Sequence, residues 1–393
     1  MGEMQTTQNF FSVGFELILR DLPIPYDLYI NSSALAQREK FVRIFPLGGL
    51  LSNEDLKEFK KKYHQLYVHE SQRDSYLRSL AKNDLLDDVE KTKVIKDSAI
   101  HYLNGLFSPD KEYTTEILAE SIDGCRESVE SMIDVLEDYD ISKVQKLIAD
   151  LSFHDFYTYD HSINVSMYCI SLYKAWKPKA PRNEIVMAGL GGLLHDLGKI
   201  KIPTAIINNP GKLSDEDFLV IKKHPGYGNS LIQESHCACE GVDFEVIRRI
   251  VYEHHENFNG TGYPQGLEGV DIHELARVTA IADFFDAITT KRSYHEALKV
   301  EDALAVMARS VGKKIDPELF EIFSENVNKL KFLGKTNREL PVDFDPCQPH
   351  DVLPFQAVKA EVKRNDLFAK EQADFGKVKT QDKSKKKNKK KAA

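Results

Sequence analysis

The sequence predicts a mostly α protein in which a small α+β module precedes a large all-helical domain. Short β-type runs are confined to the first 80 residues, apolar residues recur at helical spacing from Val94 onward, and strand-like segments are scarce between 140 and 332. Residues 1–80 read as an accessory module. Its β-type runs are Phe15–Leu19, Asp27–Ile30 and Lys40–Ile44, separated by Pro23, Pro25 and a polar loop. Ser52-Asn53-Glu54-Asp55 ahead of Leu56 and Phe59 is a helix start, and Gln65–Val68 is a closing strand. Residues 84–140 form linking helices, with Val94, Ile95, Ile100, Leu103, Leu106 and Phe107 and then Ile117, Ile122, Val129, Ile133 and Leu136 as their apolar faces. Residues 141–332 read as a helical domain, its best segments being Ile185–Leu194, Phe218–Ile232, Phe244–Tyr252 and Leu275–Ile288. From 334 to 393 the composition turns to Pro, Lys, Asp and Gln, which predicts a largely disordered tail.

Composition excludes several classes. The chain has 393 residues, 42% hydrophobic and 29% charged, enough to bury a sizeable core. No stretch approaches the roughly 18 apolar residues a membrane span needs. The N-terminus has no basic region ahead of an apolar run, so no secretory leader is expected. Five cysteines at irregular spacing suit a reducing compartment, and a cytoplasmic location follows. Cys237-Ala-Cys239 lacks a second pair and carries no zinc site. Nine lysines against Asp382 give residues 377–393 a formal +8, which leaves −16 for the rest of a chain whose total is −8. So acidic a body does not hold phosphate backbones, whereas the tail could engage a polyanion or an acidic partner.

The histidines carry the chemistry. Of 13, five in the helical domain stand out, His161, His195, His224, His254 and His255, with Asp196 and Asp283 as the accompanying acids. His195-Asp196 follows Gly191-Gly192-Leu193-Leu194, His254-His255 follows Ile250-Val251-Tyr252, and Asp283 sits within Ala280–Phe285. Polar groups this close to apolar helix are costly to bury unpaired, and a metal removes that cost. Five imidazoles and two carboxylates exceed one ion's needs. A carboxylate such as Asp196 can bridge two, and paired ions suit in-line phosphoryl displacement. With N and O donors and no thiolate, iron or manganese fits at least as well as zinc. Lys199, three residues beyond Asp196, would lie one turn along the same face and could stabilise phosphate charge.

Two glycine-rich segments differ in meaning. Gly189-Leu190-Gly191-Gly192 precedes no Lys-Ser/Thr, so it reads as close helix packing. Asn259-Gly260-Thr261-Gly262-Tyr263-Pro264 predicts a tight turn that aims an aromatic ring back toward His255, where it could stack on a nucleobase.

Taken together, His195-Asp196-Leu197-Gly198-Lys199, Ile202-Pro203, Lys212-Leu213-Ser214, Lys223-His224-Pro225-Gly226, His254-His255-Glu256, Asn259–Pro264, Ile281-Ala282-Asp283 and Lys291-Arg292-Ser293-Tyr294 resemble the HD-GYP family of bacterial cyclic di-GMP phosphodiesterases. The resemblance covers roughly residues 150–305. It implies a helical HD fold with His161, His195, Asp196, His224, His254, His255 and Asp283 as ligands of two divalent metal ions. It also implies that Lys199 positions a phosphate or the attacking water, that Gly262, Tyr263 and Pro264 shape the substrate pocket, and that Arg292 grips a phosphate. Pro25-Tyr26-Asp27-Leu28-Tyr29-Ile30 is similar to the start of an N-terminal module in such proteins.

Departures are informative. Members with a third metal carry a Glu four residues before the first ligand histidine; here Tyr157 stands there, with Asp155 and Asp160 out of helical register, so two metals are expected. His295 replaces a second basic residue after Arg292, and Ser293 replaces a Pro, which implies a weaker, pH-dependent grip. The expected activity is hydrolysis of cyclic di-GMP to pGpG, with GMP as a further product left open. The alternative is a catalytically weak cyclic di-GMP effector that works through a protein partner of the N-terminal module. A diiron oxygenase would leave the Gly-Tyr-Pro turn and Arg292 without a use. Homodimerisation is left open.

Overall fold

The computed structural model describes residues 9–33, 40–81, 83, 86–107, 114–151, 157–207, 214–235, 239–290, 297–327, 338–340 and 356–357. Strands β1 (Phe10–Val13), β2 (Leu28–Asn31), β3 (Phe41–Phe45) and β4 (Leu66–His69) form an antiparallel sheet in the order β1-β4-β2-β3. Helix α1 (Asn53–Lys62) starts at Ser52, whose hydroxyl accepts from Asp55 N while the Asp55 carboxylate accepts from Ser52 N. The expected strand Phe15–Leu19 is corrected: Phe15–Leu17 is a 3-10 turn closed by Leu17 N donating to Gly14 O, and β1 lies just before it. Ile18 and Leu19 are buried, so this run serves the core instead of pairing.

Helices α2 (Arg73–Ala81), α3 (Asp88–Phe107), α4 (Thr115–Val135) and α5 (Ile141–Asp150) lead from the sheet into the helical region. That region continues with α6 (Tyr157–Trp176), α7 (Arg182–Leu194), the short α8 (Thr204–Ile207), α9 (Asp215–Ile221), α10 (His224–Ser235), α11 (Phe244–Glu253), α12 (Glu274–Thr289), α13 (Val300–Ala308) and α14 (Pro317–Val327). Its centre is α7, in which every residue from Val186 to Leu194 is buried, and it packs against α4, α6, α11 and α12. Its glycines permit that closeness: a Cβ at Gly191 would lie 2.3 Å from Ile250 Cδ1, and one at Gly192 would lie 2.9 Å from Cys169 Sγ. A single cluster of buried hydrophobic side chains extends from Val13 of the sheet through the helices to Leu340.

Within the expected disordered tail, Arg338–Glu339 (β5) pairs antiparallel with Gln356–Ala357 (β6), and Leu340 is buried. Leu340 joins the hydrophobic core, which offsets its ordering entropy. The Lys-rich residues 377–393 lie outside the described residues. Among the described residues no helix is long and apolar enough to cross a membrane.

Candidate metal centre

Six of the seven candidate ligands sit where helices begin or end. His195 and Asp196 follow the last turn of α7, His224 opens α10, and His254 and His255 follow α11. His161 lies in the first turns of α6, and Asp283 lies within α12. All seven are buried. The turn after Asp196 and the start of α10 come together through Gly198, where a Cβ would stand 1.8 Å from His224 O.

The seven side chains form two groups, in each of which the potential donor atoms lie within 4.8 Å of one another: Asp196, His224, His254 and His255 in one, and His161, His195 and Asp283 in the other. Asp196 stands between them. Its Oδ1 is 3.3 Å from His224 Nε2, and its Oδ2 is 3.2 Å from His195 Nε2. The 3-10 turn Leu197–Lys201 brings Lys199 Nζ to 2.6 Å from the same Oδ2, a direct contact where the sequence suggested only a shared face.

The tautomers follow from the hydrogen bonds. His195, His224 and His254 each donate Nδ1–H to the carbonyl three residues earlier, those of Gly192, Ile221 and Val251, at 2.8, 2.8 and 2.9 Å. Their Nε2 lone pairs therefore face the centre. His224 Nε2 and His254 Nε2 lie 3.3 Å apart, two acceptors turned toward each other. His195 Nε2 is buried and, despite its distance from Asp196, lies at an angle that makes no hydrogen bond. Lone pairs converging without a donor are what a divalent cation satisfies, so the donor set fits the metal that the sequence implied.

Ionisation agrees. Burial lowers His224 to about 4 and His254 to about 3, the latter helped by repulsion from His195 and His224; His255 falls well below the usual imidazole range for the same reasons. Burial would raise Asp196, but His195 and Lys199 hold it well below the carboxylate range. Asp283 is likewise lowered against burial, to about 2, by its hydrogen bond to His161. His161 is the exception. Burial opposes its charge, yet Asp283 and Asp286 together push it up to about 9. In the metal-free protein this imidazole holds a proton that an entering cation must displace.

Sequence reasoning missed two residues. Asp286, fully buried, accepts from His161 Nδ1 at 2.7 Å, from Asn164 Nδ2 at 2.9 Å and from Thr290 Oγ1 at 2.8 Å, so it sets how His161 is aimed. Its position three residues after Asp283 on one helix was the available signal. Glu256 is buried beside the Gly-Tyr-Pro turn, and its carboxylate accepts the backbone N–H groups of Gln265, Gly266 and Leu267. It followed His254-His255 in the recognised motif without an assigned role.

The turn itself carries Tyr263 onto His255, the rings stacked with centroids 4.9 Å apart at 18°, and Tyr263 N donates to His255 O. Gly262 permits this, since a Cβ there would lie 2.1 Å from Asn257 N. Pro264 follows through a cis peptide bond. One face of the tyrosine thus packs on a candidate ligand, and Lys222 Nζ sits over the ring at 5.1 Å. Asp160, next to His161, pairs with Lys96. Tyr157 opens α6, while Asp155, Arg292, Ser293 and His295 lie outside the described residues.

The profile of the HD domain matches residues 144–319. The chain is 39% identical over 173 residues to cyclic di-GMP phosphodiesterase PA4108 of Pseudomonas aeruginosa, covering 44% of this chain and 40% of that protein. It is 34% identical over 138 residues to 3'3'-cGAMP-specific phosphodiesterase 3 of Vibrio cholerae, covering 35% of this chain and 29% of that protein. The chain therefore spans less than half the length of these relatives. The solved structure of Bd1817, an HDG"Y"P protein from Bdellovibrio bacteriovorus, covers 81% of this chain and 99% of its own at 21% identity with a TM-score of 0.50, a likeness of fold. The HD profile thus falls on the helical region in which His195-Asp196 stands at the meeting of two groups of candidate ligands and Gly262-Tyr263-Pro264 packs against them.

Proposed function

We propose that the protein is a metal-dependent phosphodiesterase that opens cyclic di-GMP to linear pGpG, with residues 141–332 as the catalytic domain and 1–80 as an accessory module joined by the helices of 84–140. One observation carries this reading: the two oxygens of Asp196 face different imidazole groups, the arrangement a bridging carboxylate needs. Two divalent ions, iron or manganese by their preference for N and O donors, would supply Lewis acidity and a water acidic enough to attack near neutral pH. His224, His254 and His255 with Asp196 Oδ1 would hold one ion, and His161, His195 and Asp283 with Asp196 Oδ2 the other.

The chain's own residues do the rest. Lys199, which contacts Asp196, would offset charge that develops on the phosphate. Glu256 pins the backbone of 265–267, which fixes the turn that carries Gly262, Tyr263 and Pro264 at the mouth of the centre. The family resemblance assigns Arg292 the grip on the dinucleotide's phosphate, with His295 in the place of a second basic residue. We assign the protein to the cytoplasm on its cysteine usage, the N-terminal module to contact with a protein partner, and the Lys-rich tail to a polyanion or an acidic partner.

The test is reconstitution with iron(II) or manganese(II), followed by chromatography of cyclic di-GMP and, in parallel, 3'3'-cGAMP, since a relative named for each matches the chain. Consumption of cyclic di-GMP with appearance of the linear dinucleotide is expected. Exclusive consumption of 3'3'-cGAMP would move the substrate assignment. Tight binding of cyclic di-GMP by fully metal-loaded protein without turnover would favour the effector reading.

A further inference from the structure

Helix α3 delivers a lysine into the interior of the helical region. Lys96 Nζ lies 2.7 Å from Asp160 Oδ1, and both side chains are only 4% exposed. A buried ion pair is a poor way to stabilise a fold, because the cost of desolvating two charges matches or exceeds their attraction, and apolar side chains of similar size commonly do as well. A pair kept under those conditions is best explained by what it holds in place.

What it holds is the residue next to a ligand. Successive residues on a helix are rotated by about 100°, so Asp160 and His161 project from α6 in different directions. Asp160 is drawn toward α3, and His161 is directed at Asp283 and Asp286. Both lie in the opening turns of α6, which starts at Tyr157, where a helix has fewest intrahelical bonds to fix its rotation. Asp286 holds the outer nitrogen of the ring, and the Lys96 pair holds the backbone that carries it.

Helix α3 is itself tied to the sheet. Further along the same helix, Tyr102 Oη donates to Glu70 Oε1 at 3.4 Å, and Glu70, just after β4, forms paired hydrogen bonds with Arg73 at 2.5 and 2.9 Å. Tyr102 is also wedged against α4 at Gly124, where a Cβ would lie 2.3 Å from the ring. The lysine is thus anchored to the N-terminal part of the chain, and its partner is anchored to the metal centre.

Resting on the metal-centre reading above, we infer that Lys96 is a positioning residue: through Asp160 it sets the rotation of the first turns of α6, and thereby the ability of the His161, His195 and Asp283 group to take its cation. The other group, built on α7, α10 and α11, is independent of it.

The experiment is manganese(II) titration of the full chain after chelator treatment, with binding followed by calorimetry and the bound ions by electron paramagnetic resonance. The wild type should bind two ions and give the spin-coupled spectrum of a manganese pair. Lys96→Met should weaken one ion by more than tenfold, leave the other within about twofold and give the spectrum of an isolated ion, the profile expected of His161→Ala. Lys96→Met combined with Asp160→Leu removes the stranded buried charge and should restore the thermal midpoint without restoring the second ion; it is also the variant to read if Lys96→Met alone does not fold. Two ions bound with wild-type affinity in either variant would overturn the inference, because the pair would then serve only the fold. A wild-type chain that binds no manganese, iron or zinc would instead bring down the metal-centre reading itself.

Discussion

The two groups of candidate ligands differ in how their rings are held, although His195 of the second shares the backbone aiming seen in the first. In the half formed by Asp196, His224, His254 and His255, the rings of His224 and His254 are aimed by backbone carbonyls at helix ends, and burial keeps all three imidazoles neutral. In the half formed by His161, His195 and Asp283, the aim of His161 depends on the side chains of Asp286, Asn164 and Thr290, and this ring carries a proton up to about pH 9. Backbone aiming comes with the helices, whereas side-chain aiming can be lost by one substitution. On the proposed reading, the first group is expected to be the less pH-sensitive position, and the second the one whose loading depends on side-chain partners.

The largest effect is expected where the halves share an atom pair. Asp196→Ala removes an oxygen from each group and should abolish both metal occupancy and turnover. Retention of one tightly bound ion, measured by metal analysis, would mean that the groups are separate sites and not a pair. Lys199→Ala should lower turnover of cyclic di-GMP by about 10²- to 10³-fold, the usual cost of losing one preorganised charge-stabilising donor, while leaving both ions in place. A matching loss of metal would show that the lysine holds Asp196 instead of serving the phosphate.

Asp286→Asn separates the halves directly. Loss of an outer partner of a ligand typically costs about 10- to 100-fold in metal affinity, and that loss should fall on one of the two ions in a calorimetric titration. Equal weakening of both would remove the asymmetry argued here. The smallest effect, and the finest test, is the pH dependence. Below about pH 9, entry of the ion at His161 should release a proton, so its affinity should fall by up to tenfold per pH unit as the pH drops; the ion at His224 and His254 should show no such slope until near pH 4.

The same proton has a sign for stability. A histidine raised on folding contributes stability that is complete below its unfolded pKa of about 6.5 and is lost as the pH rises through about 9. The metal-free protein should therefore show a falling thermal midpoint between pH 6.5 and 9, and Asp286→Asn should flatten that decline.

What the sequence determined by itself was the set of residues and the kind of elements that carry them. Helical spacing of apolar residues located α7, α11 and α12, because a buried stripe repeats with the helix period wherever the helix packs. The histidines and acids stood out because ionisable groups beside such stripes have few affordable explanations. The short runs of the N-terminal module were less legible: Phe15–Leu19 reads as a strand by composition, but a run buried through a 3-10 turn has the same residues as one buried in a sheet. Only the tertiary structure decided which of these side chains meet, since His161 and Asp286 are 125 residues apart in the chain and 2.7 Å apart in space. It also decided the division of Asp196 between two groups, the use of Glu256 as a clamp on a turn, and the meeting of Lys96 with Asp160. These depend on how helices are rotated against one another, and periodicity names the buried face of each helix without saying which neighbour that face will meet.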